Sequence, residues 1–379
     1  MEIHQIILRE DTQLSGMDMI PFTPDLLLIF GSRELLKTTK KILQLREMYP
    51  NAVISGCSTS GEIKGVNIHD ETIVVNAIKF ESSQVVIFES DSNVYENVEK
   101  VGEKLVNKFN TAHLKHLFVL SDGLNVNGSE LVKGLRKGLR KPIGITGGMA
   151  SDGNKMEETY VIGNDGFIHS NWVSIIGFYG ESLKVGYGSC GGWDSFGIDR
   201  MVTKSYKNIL YEIDNEPALD LYKFYLGDRA KELPSAGLFF PLSIRTSSNS
   251  KPLVRTIIDV DEKKRSLTFA GNIPQGSYVK LMKANQDRII NGAEMAALSS
   301  IKSFENEQVQ LAILISCIGR RLVLKQLVED EIDVVSQVLG EKAVITGFYS
   351  YGEIAPFEME QECDLHNQTM TVAIFSEIS

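Results

Sequence analysis

Cysteine is scarce in this chain and never paired. Cys57, Cys190, Cys317 and Cys363 are the four cysteines in 379 residues, and no C-x-x-C spacing joins them, so neither a disulfide framework nor a structural zinc ribbon is indicated. Long apolar runs are missing too. The stretches Asp25-Leu-Leu-Leu-Ile-Phe30 and Leu311 to Ile315 are far too short to cross a bilayer. Met1-Glu-Ile-His-Gln-Ile is mixed from its first residue, where a secretory leader needs a charged segment and then an apolar one. The expectation is a cytoplasmic protein without membrane insertion. Clustered positive charge is also lacking: the net charge is −10 and the pI about 5.3, which argues against nucleic acid and anionic membranes as partners. The densest basic stretch, Lys133 to Lys141, alternates with Gly and Leu and reads as a solvated helix face or a docking surface.

Catalytic signatures are absent in the same way. Gly186-Tyr-Gly-Ser-Cys-Gly191 fits G-x-G-x-x-G, but G-W-D-S-F-G follows it rather than a helix, so the dinucleotide reading lacks its structural context. The segments around Ser58 and Ser151 both fail the spacing of a nucleophile elbow. Neither a Walker loop nor H-E-x-x-H occurs. Nothing in the sequence gives positive support to an enzyme.

What is present is repetition. Ala52 to Ile63 reads A-V-I-S-G-C-S-T-S-G-E-I, and Ala343 to Ile354 reads A-V-I-T-G-F-Y-S-Y-G-E-I. Each is preceded by an apolar strand and a stretch of helical periodicity, which makes a β-α-β unit. The units are Asp25 to Gly31, Arg33 to Tyr49 and Ala52 to Ser55, and then Gln310 to Ser316, Arg321 to Leu339 and Ala343 to Thr346. A third pass lies between them, with Lys115 to Ser121, a helix around Gly128 to Arg140, and Ile143 to Thr146. Every pass ends in a turn carrying Gly56, Gly147 or Gly347, where glycine permits close backbone approach. Downstream, I-H-D-E-T from Ile68 is echoed by L-H-N-Q-T from Leu365. So many ordered matches imply an internal duplication.

The fold expected is therefore mixed α/β, with duplicated β-α-β units, mixed sheets and two domains around a shared ligand cleft. Residues 1–24 form an N-terminal strand and extension, 25–227 a first domain and 228–379 a second, divided by the polar, Pro-containing stretch from Gly227 to Leu233. Within the β-rich middle, a helix is expected from Glu216-Pro217 to Leu226. Strands are expected at Leu253 to Val260, Ser266 to Phe269 and Gly276 to Met282, and a helix from Ala284 to Ser300.

Open α/β sheets collect ligands at their strand ends, so the last pass supplies the candidate site: Cys317, Arg320, Tyr349, Tyr351, Glu353, His366 and Asn367. Arg320 can fork onto a carboxylate or propionate of a ligand, or form an ion pair with Glu353. Tyr349 and Tyr351 straddle Ser350, so an extended segment would put both on one face, where they either flank a planar ligand or pack in the core. His366 can be an acid, a base, a metal ligand or a hydrogen-bond partner. The bulky tip Phe348 to Tyr351 reads as the ligand-facing version of the small first tip, Cys57 to Ser60.

The order G-C-S-T-S-G-E-I, G-G-M-A-S-D-G, G-G-W-D-S-F-G, E-P-A-L-D-L-Y, G-N-I-P-Q-G, S-C-I-G-R, G-F-Y-S-Y-G-E-I and L-H-N-Q-T-M-T resembles the FIST family of bacterial sensory proteins, over roughly residues 25 to 378. The resemblance implies a non-catalytic signal-input protein with an N-terminal and a C-terminal FIST domain. A chain of this length looks most like the haem-binding, nitric-oxide-sensing members, which act on a separate histidine kinase or cyclic-di-GMP enzyme. That likeness implies haem b held without covalent attachment, since no C-x-x-C-H occurs. His366 would be its iron ligand, Arg320 would meet a propionate and the two tyrosines would flank the ring. The alternative is an iron-free module for an amino acid or other metabolite, with Arg320 and Glu353 binding its carboxylate and ammonium. The partners expected are thus the small molecule, the signalling enzyme and a second copy of the chain.

Overall fold

Strands buried on both faces need apolar side chains at nearly every position, and three segments meet that demand: Leu26–Ser32, Leu114–Ser121 and Leu311–Cys317. The computed structural model describes residues 1–14, 19–139, 141–247, 251–304, 307–357 and 362–378. In it each of these segments is the centre of one six-stranded sheet. Its parallel partner follows one helical crossover later, as Val53–Thr59, Gly144–Met149 and Val344–Ser350 respectively. A returning strand lies antiparallel on the other side: Ile73–Lys79, Trp172–Tyr179 and Met370–Glu377. An outer strand completes each unit, namely Glu2–Leu8, Gln84–Asp91 and Leu183–Cys190. The chain therefore contains three copies of one unit.

The remaining two strands of every sheet come from a different copy. The hairpin Glu62–Lys64 with Asn67–His69 leaves the first unit and pairs with Val344–Ser350 of the third. The third unit's hairpin, Gly352–Ala355 with Asp364–His366, pairs with Gly144–Met149 of the second. The second unit's hairpin, Val161–Ile162 with Ile168–His169, pairs with Val53–Thr59 of the first. This cycle closes on itself and covers the sheet edge that each unit would otherwise expose. The inner faces of all three sheets bury one core, where Phe30 stacks on Phe348 with centroids 4.6 Å apart.

Gly56, Gly147 and Gly347, expected in turns, lie inside the strands Val53–Thr59, Gly144–Met149 and Val344–Ser350, where close approach of the neighbouring strand explains them. A Cβ on Gly56, Gly147 or Gly347 would stand 1.8, 1.9 and 1.9 Å from the carbonyl oxygens of Ile29, Val119 and Leu314. Only hydrogen fits there.

Between the outer strand and the central strand of the third unit the chain makes a separate module, from Asp194 to Lys283. It is an eight-stranded sheet with the helix Ala218–Leu226 and its own core around Leu210, Leu219, Tyr222 and Phe269. The stretch 227–233, expected to divide two domains, runs as a 3-10 segment and its exit inside this module. The chain then re-enters the body through the helix Gln286–Ser300.

Two expected helices are broken. Arg33 to Tyr49 splits into Arg33–Thr38 and Lys41–Met48, because Thr39 is extended and the Thr38 hydroxyl donates back to the Glu34 carbonyl at 3.1 Å. The third crossover splits at Lys325, whose φ is +55°, into Ile318–Leu324 and Asp330–Leu339. The second crossover helix is Gly128–Gly138; Arg140, its expected end and part of the basic stretch, lies outside the described residues. No helix among the described residues is long and apolar enough to cross a membrane.

Candidate functional site

The C-terminal ends of the three parallel strand pairs converge, and their tips interlock. The Ser60 amide donates to the Tyr349 carbonyl and the Tyr349 amide to the Gly61 carbonyl, each at 3.0 Å. The Ser151 amide donates to the Ser58 carbonyl at 2.9 Å and its hydroxyl to the Tyr349 carbonyl at 2.6 Å. At the centre is Asp152, whose side chain is fully buried. It accepts from Arg33 of the first unit at 2.8 Å, from the Tyr351 hydroxyl of the third, and from the amides of Met156, Glu157 and Glu158 in its own loop. Burial and the adjacent Asp152 hold the Tyr351 phenol protonated.

Two hollows flank this knot. The outer cleft, about 1300 Å³, is lined by charges of both signs, among them Arg33, Glu62, Asp70, Lys155 and Arg321. The inner chamber, about 720 Å³, lies between the three-sheet body and the inserted module. Gly123 to Gly128, Met149, Cys317 to Gly319 and Tyr351 wall it from the body, and Leu238, Phe239, Thr256 to Ile258 and Phe269 to Gly271 from the module. The two hollows share Gly153, Asn154, Ile318 and Leu322.

The expected site residues divide sharply. Tyr351 and Cys317 line the inner chamber, and burial pushes the Cys317 thiol up, so it stays protonated. The other five lie behind the walls. Arg320 has no exposed surface; it donates to Glu331 at 2.8 and 2.9 Å and to the carbonyls of Gly191 and Ile289 at 2.6 and 2.7 Å. Its carboxylate partner is therefore Glu331, not Glu353. Tyr349 is also fully buried and donates to Glu331 at 2.7 Å, so the two tyrosines do not share a face. The chain passes from one sheet to another between them, which sends Tyr349 into the helical layer and Tyr351 to the chamber. Phe348, expected at the ligand-facing tip, fills the central core instead.

Glu353 is buried as one half of a repeated brace. It accepts from the Ser350 hydroxyl at 2.7 Å and from the Thr369 amide and hydroxyl at 3.1 and 3.0 Å. Glu62 accepts in the same way from the hydroxyls of Thr59 and Thr72. The distant G-E-I and H-x-x-T echoes are thus two ends of one hydrogen-bonded motif. Burial pushes both carboxyls up, Glu62 to about 7 and Glu353 to about 8.

His366 and Asn367 stand next to that brace. His366 is 1% exposed, its Nε2 lies 2.8 Å from the Ala355 carbonyl, and burial lowers its pKa to about 4, so the ring is neutral. Its Nδ1 and the Asn367 Oδ1 have no hydrogen-bond partner among the described residues. The amide of Asn367 donates to the Tyr351 carbonyl at 3.4 Å, which backs the chamber wall without reaching its surface. Neighbouring residues hold the roles that sequence reading gave to these: Arg321, not Arg320, reaches the outer cleft, and pairs with Asp70 at 2.6 Å. Both arginines lie in the helix Ile318–Leu324, where successive side chains are turned about 100° apart, so one faces the interior and the next the cleft. Arg33 carries no motif that singles it out, and Asp152 stands in the G-G-M-A-S-D-G segment but is not among the expected site residues. The chamber's second wall comes from the inserted module, which the repeat pattern does not include.

Strand ends opening onto a chamber roofed by a second module are the architecture of a small-ligand-binding protein. The chain belongs to the FIST family: the FIST N domain matches residues 25–216 and the FIST C domain residues 218–356. The two matches meet inside the inserted module. FIST domains are sensory modules with a small-ligand signalling role, and typically non-catalytic. The chain is also similar to an uncharacterized protein, MJ1623, of Methanocaldococcus jannaschii, with 22% identity over 375 residues that cover 88% of this chain and 70% of that protein.

Proposed function

We propose that this protein is the input component of a signalling pair: a small molecule enters the chamber between body and module, and the change in their packing is read by a separate protein. The observation that carries this is the division of the chamber wall between two independently cored parts. A ligand touching both stabilises their docked arrangement over any other, and that differential affinity is what a sensor requires. Apolar packing of Phe239 against Ile289, Val323 and Leu324, together with several polar contacts, holds the docked arrangement. Arg255 donates to the Leu365 carbonyl at 2.9 Å, Asn272 to Ser129 and Glu130 at 3.0 and 2.6 Å, and Gln368 to the Leu238 carbonyl at 3.1 Å. By family resemblance the receiving protein is a histidine kinase or a cyclic-di-GMP enzyme in the cytoplasm, and the input protein has no catalytic step of its own.

Haem b with nitric oxide as the signal is the specific form that the resemblance suggests, and the residues do not fit it. None of the six histidines lines either hollow. Among the described residues, the outer cleft has arginines for propionates but no His, Cys, Met or Tyr to hold iron. The inner chamber has Met149, Met156, Cys317 and Tyr351 but, among the described residues, no cation for propionates. The iron-free alternative is therefore the better reading.

Two measurements test it. Haemin titrated into the purified chain should give no Soret band that survives gel filtration; a stable band lost in His366→Ala would overturn the iron-free reading. Native mass spectrometry of the chain purified from its own host should show a retained small molecule that Ala270→Trp, which fills the chamber, releases. Equal retention by both proteins would place the ligand elsewhere.

A further inference from the structure

Among the described residues, the 26 that line the inner chamber include no Asp, Glu, Lys, Arg or His, although 23% of the chain is charged. The outer cleft, separated from it by a shared wall, is by contrast crowded with both signs. The exclusion is therefore local. Charges close to the chamber are already engaged from behind. Asp122 accepts from the amides of Leu124 and Asn125 and from the hydroxyl of Thr159. Asp152 is held by Arg33 and Tyr351, and Glu130 by Asn272. Arg255, behind Gly271, donates to the carbonyls of Val254, Asn272 and Leu365.

What faces the hollow is aliphatic and aromatic surface from both sides, including Leu124, Val126, Leu238, Phe239, Ile257 and Phe269. Neutral hydrogen-bonding groups interrupt it: Asn125, Asn154, Asn208, Ser235 and Thr256. Thr256 is 4% exposed and its hydroxyl has no partner among the described residues. The two ionisable wall groups, the Cys317 thiol and the Tyr351 phenol, are held in their neutral forms by burial. A charged ligand moved from water into such a wall loses its hydration and gains no counter-charge, whereas an apolar ligand gains in proportion to the area it buries.

Building on the ligand-input reading above, we infer that the chamber is selective for an uncharged, predominantly apolar small molecule, held by the hydrophobic surfaces of body and module and oriented by neutral amide and hydroxyl groups. This class excludes amino acids and other zwitterions from the chamber. A volume of about 720 Å³ suits a molecule of drug-like size, for which pockets of roughly 300–1,000 Å³ are usual. Because the site has no charge to offer, recognition depends on shape and on a few neutral hydrogen bonds, and affinity is insensitive to salt.

The test compares two fluorescent probes that share one ring system: neutral N-phenyl-1-naphthylamine and its anionic sulfonate, 1-anilinonaphthalene-8-sulfonate. The neutral probe should bind the full chain saturably at one site per chain, and the sulfonate about tenfold more weakly or worse. Raising the salt concentration should leave the neutral probe's affinity unchanged. Ala270→Trp, and independently Ile258→Trp in case the first variant misfolds, should abolish that binding while thermal unfolding stays cooperative. Arg321→Ala in the outer cleft should leave it intact. Equal or tighter binding of the sulfonate, sensitive to Ala270→Trp, would overturn the inferred chemistry while keeping the chamber as the ligand site. Probe binding that neither tryptophan affects, or no saturable binding at all, would overturn the site together with the ligand-input reading.

Discussion

The hydroxyl of Tyr351, from the third unit, ends on the carboxylate of Asp152, from the second. Arg33 of the first unit reaches the same carboxylate at 2.8 Å, so one buried side chain ties the three copies together at the point where the two hollows meet.

Removing the phenol oxygen should loosen that knot without breaking it. Tyr351→Phe leaves Asp152 with Arg33 and three backbone amides, so the expected loss is about 1–3 kcal/mol. Urea denaturation followed by circular dichroism measures it. A loss indistinguishable from zero would mean that the tyrosine is unimportant to the junction.

Arg320 and its neighbour Arg321 should behave as opposites. Arg320→Ala strands the fully buried Glu331, a change that costs about 3–5 kcal/mol. Arg321→Ala disturbs a half-exposed pair with Asp70 and should cost no more than about 1 kcal/mol. Comparing the two denaturation midpoints decides the matter, and equal losses would contradict the assignment of Arg320 to the interior.

The Glu353 brace should make stability depend on pH. Its folded pKa, about 8, lies above the ordinary 4.5, so the folded chain keeps a proton that the unfolded chain gives up. Stability from this group is complete below the unfolded value and declines as the pH rises from about 4.5 to 8. Glu62, pushed up to about 7, acts in the same direction. Glu353→Gln should flatten the decline, as measured by thermal unfolding at a series of pH values. A slope identical to that of the unsubstituted protein would show that the carboxyl is ionised at neutral pH.

A methyl group on Gly347 should be intolerable. Its Cβ would lie 1.9 Å from the Leu314 carbonyl oxygen, on a backbone with φ of +153°. Gly347→Ala is expected to lose more than about 4 kcal/mol and to accumulate as insoluble chain. Gly147→Ala should match it, since the two positions are equivalent. Soluble expression with an unchanged melting temperature would refute the close approach.

Much of this architecture can be read along the chain. Apolar strands and crossover helices follow from periodicity, and the three recurring glycines are visible too, although they lie inside strands and not in the turns expected of them. The G-E-I and H-x-x-T echoes mark Glu62 with Thr72 and Glu353 with Thr369 before any contact is known. Burial of those same residues is not legible, because a polar residue beside an apolar strand looks alike whether it faces a ligand or a hydroxyl partner. That is why Arg320, Tyr349, Glu353, His366 and Asn367 were expected at a surface and are found in the interior.

The sequence by itself determined that one β-α-β pattern recurs and where its invariantly placed glycines fall, because strand and helix periods are local properties of neighbouring residues. Only the tertiary structure decided which copy receives which hairpin, and that the chamber lies between the body and an inserted module. Those pairings join residues more than a hundred positions apart, through backbone hydrogen bonds that almost any side chain permits, so no local pattern records them.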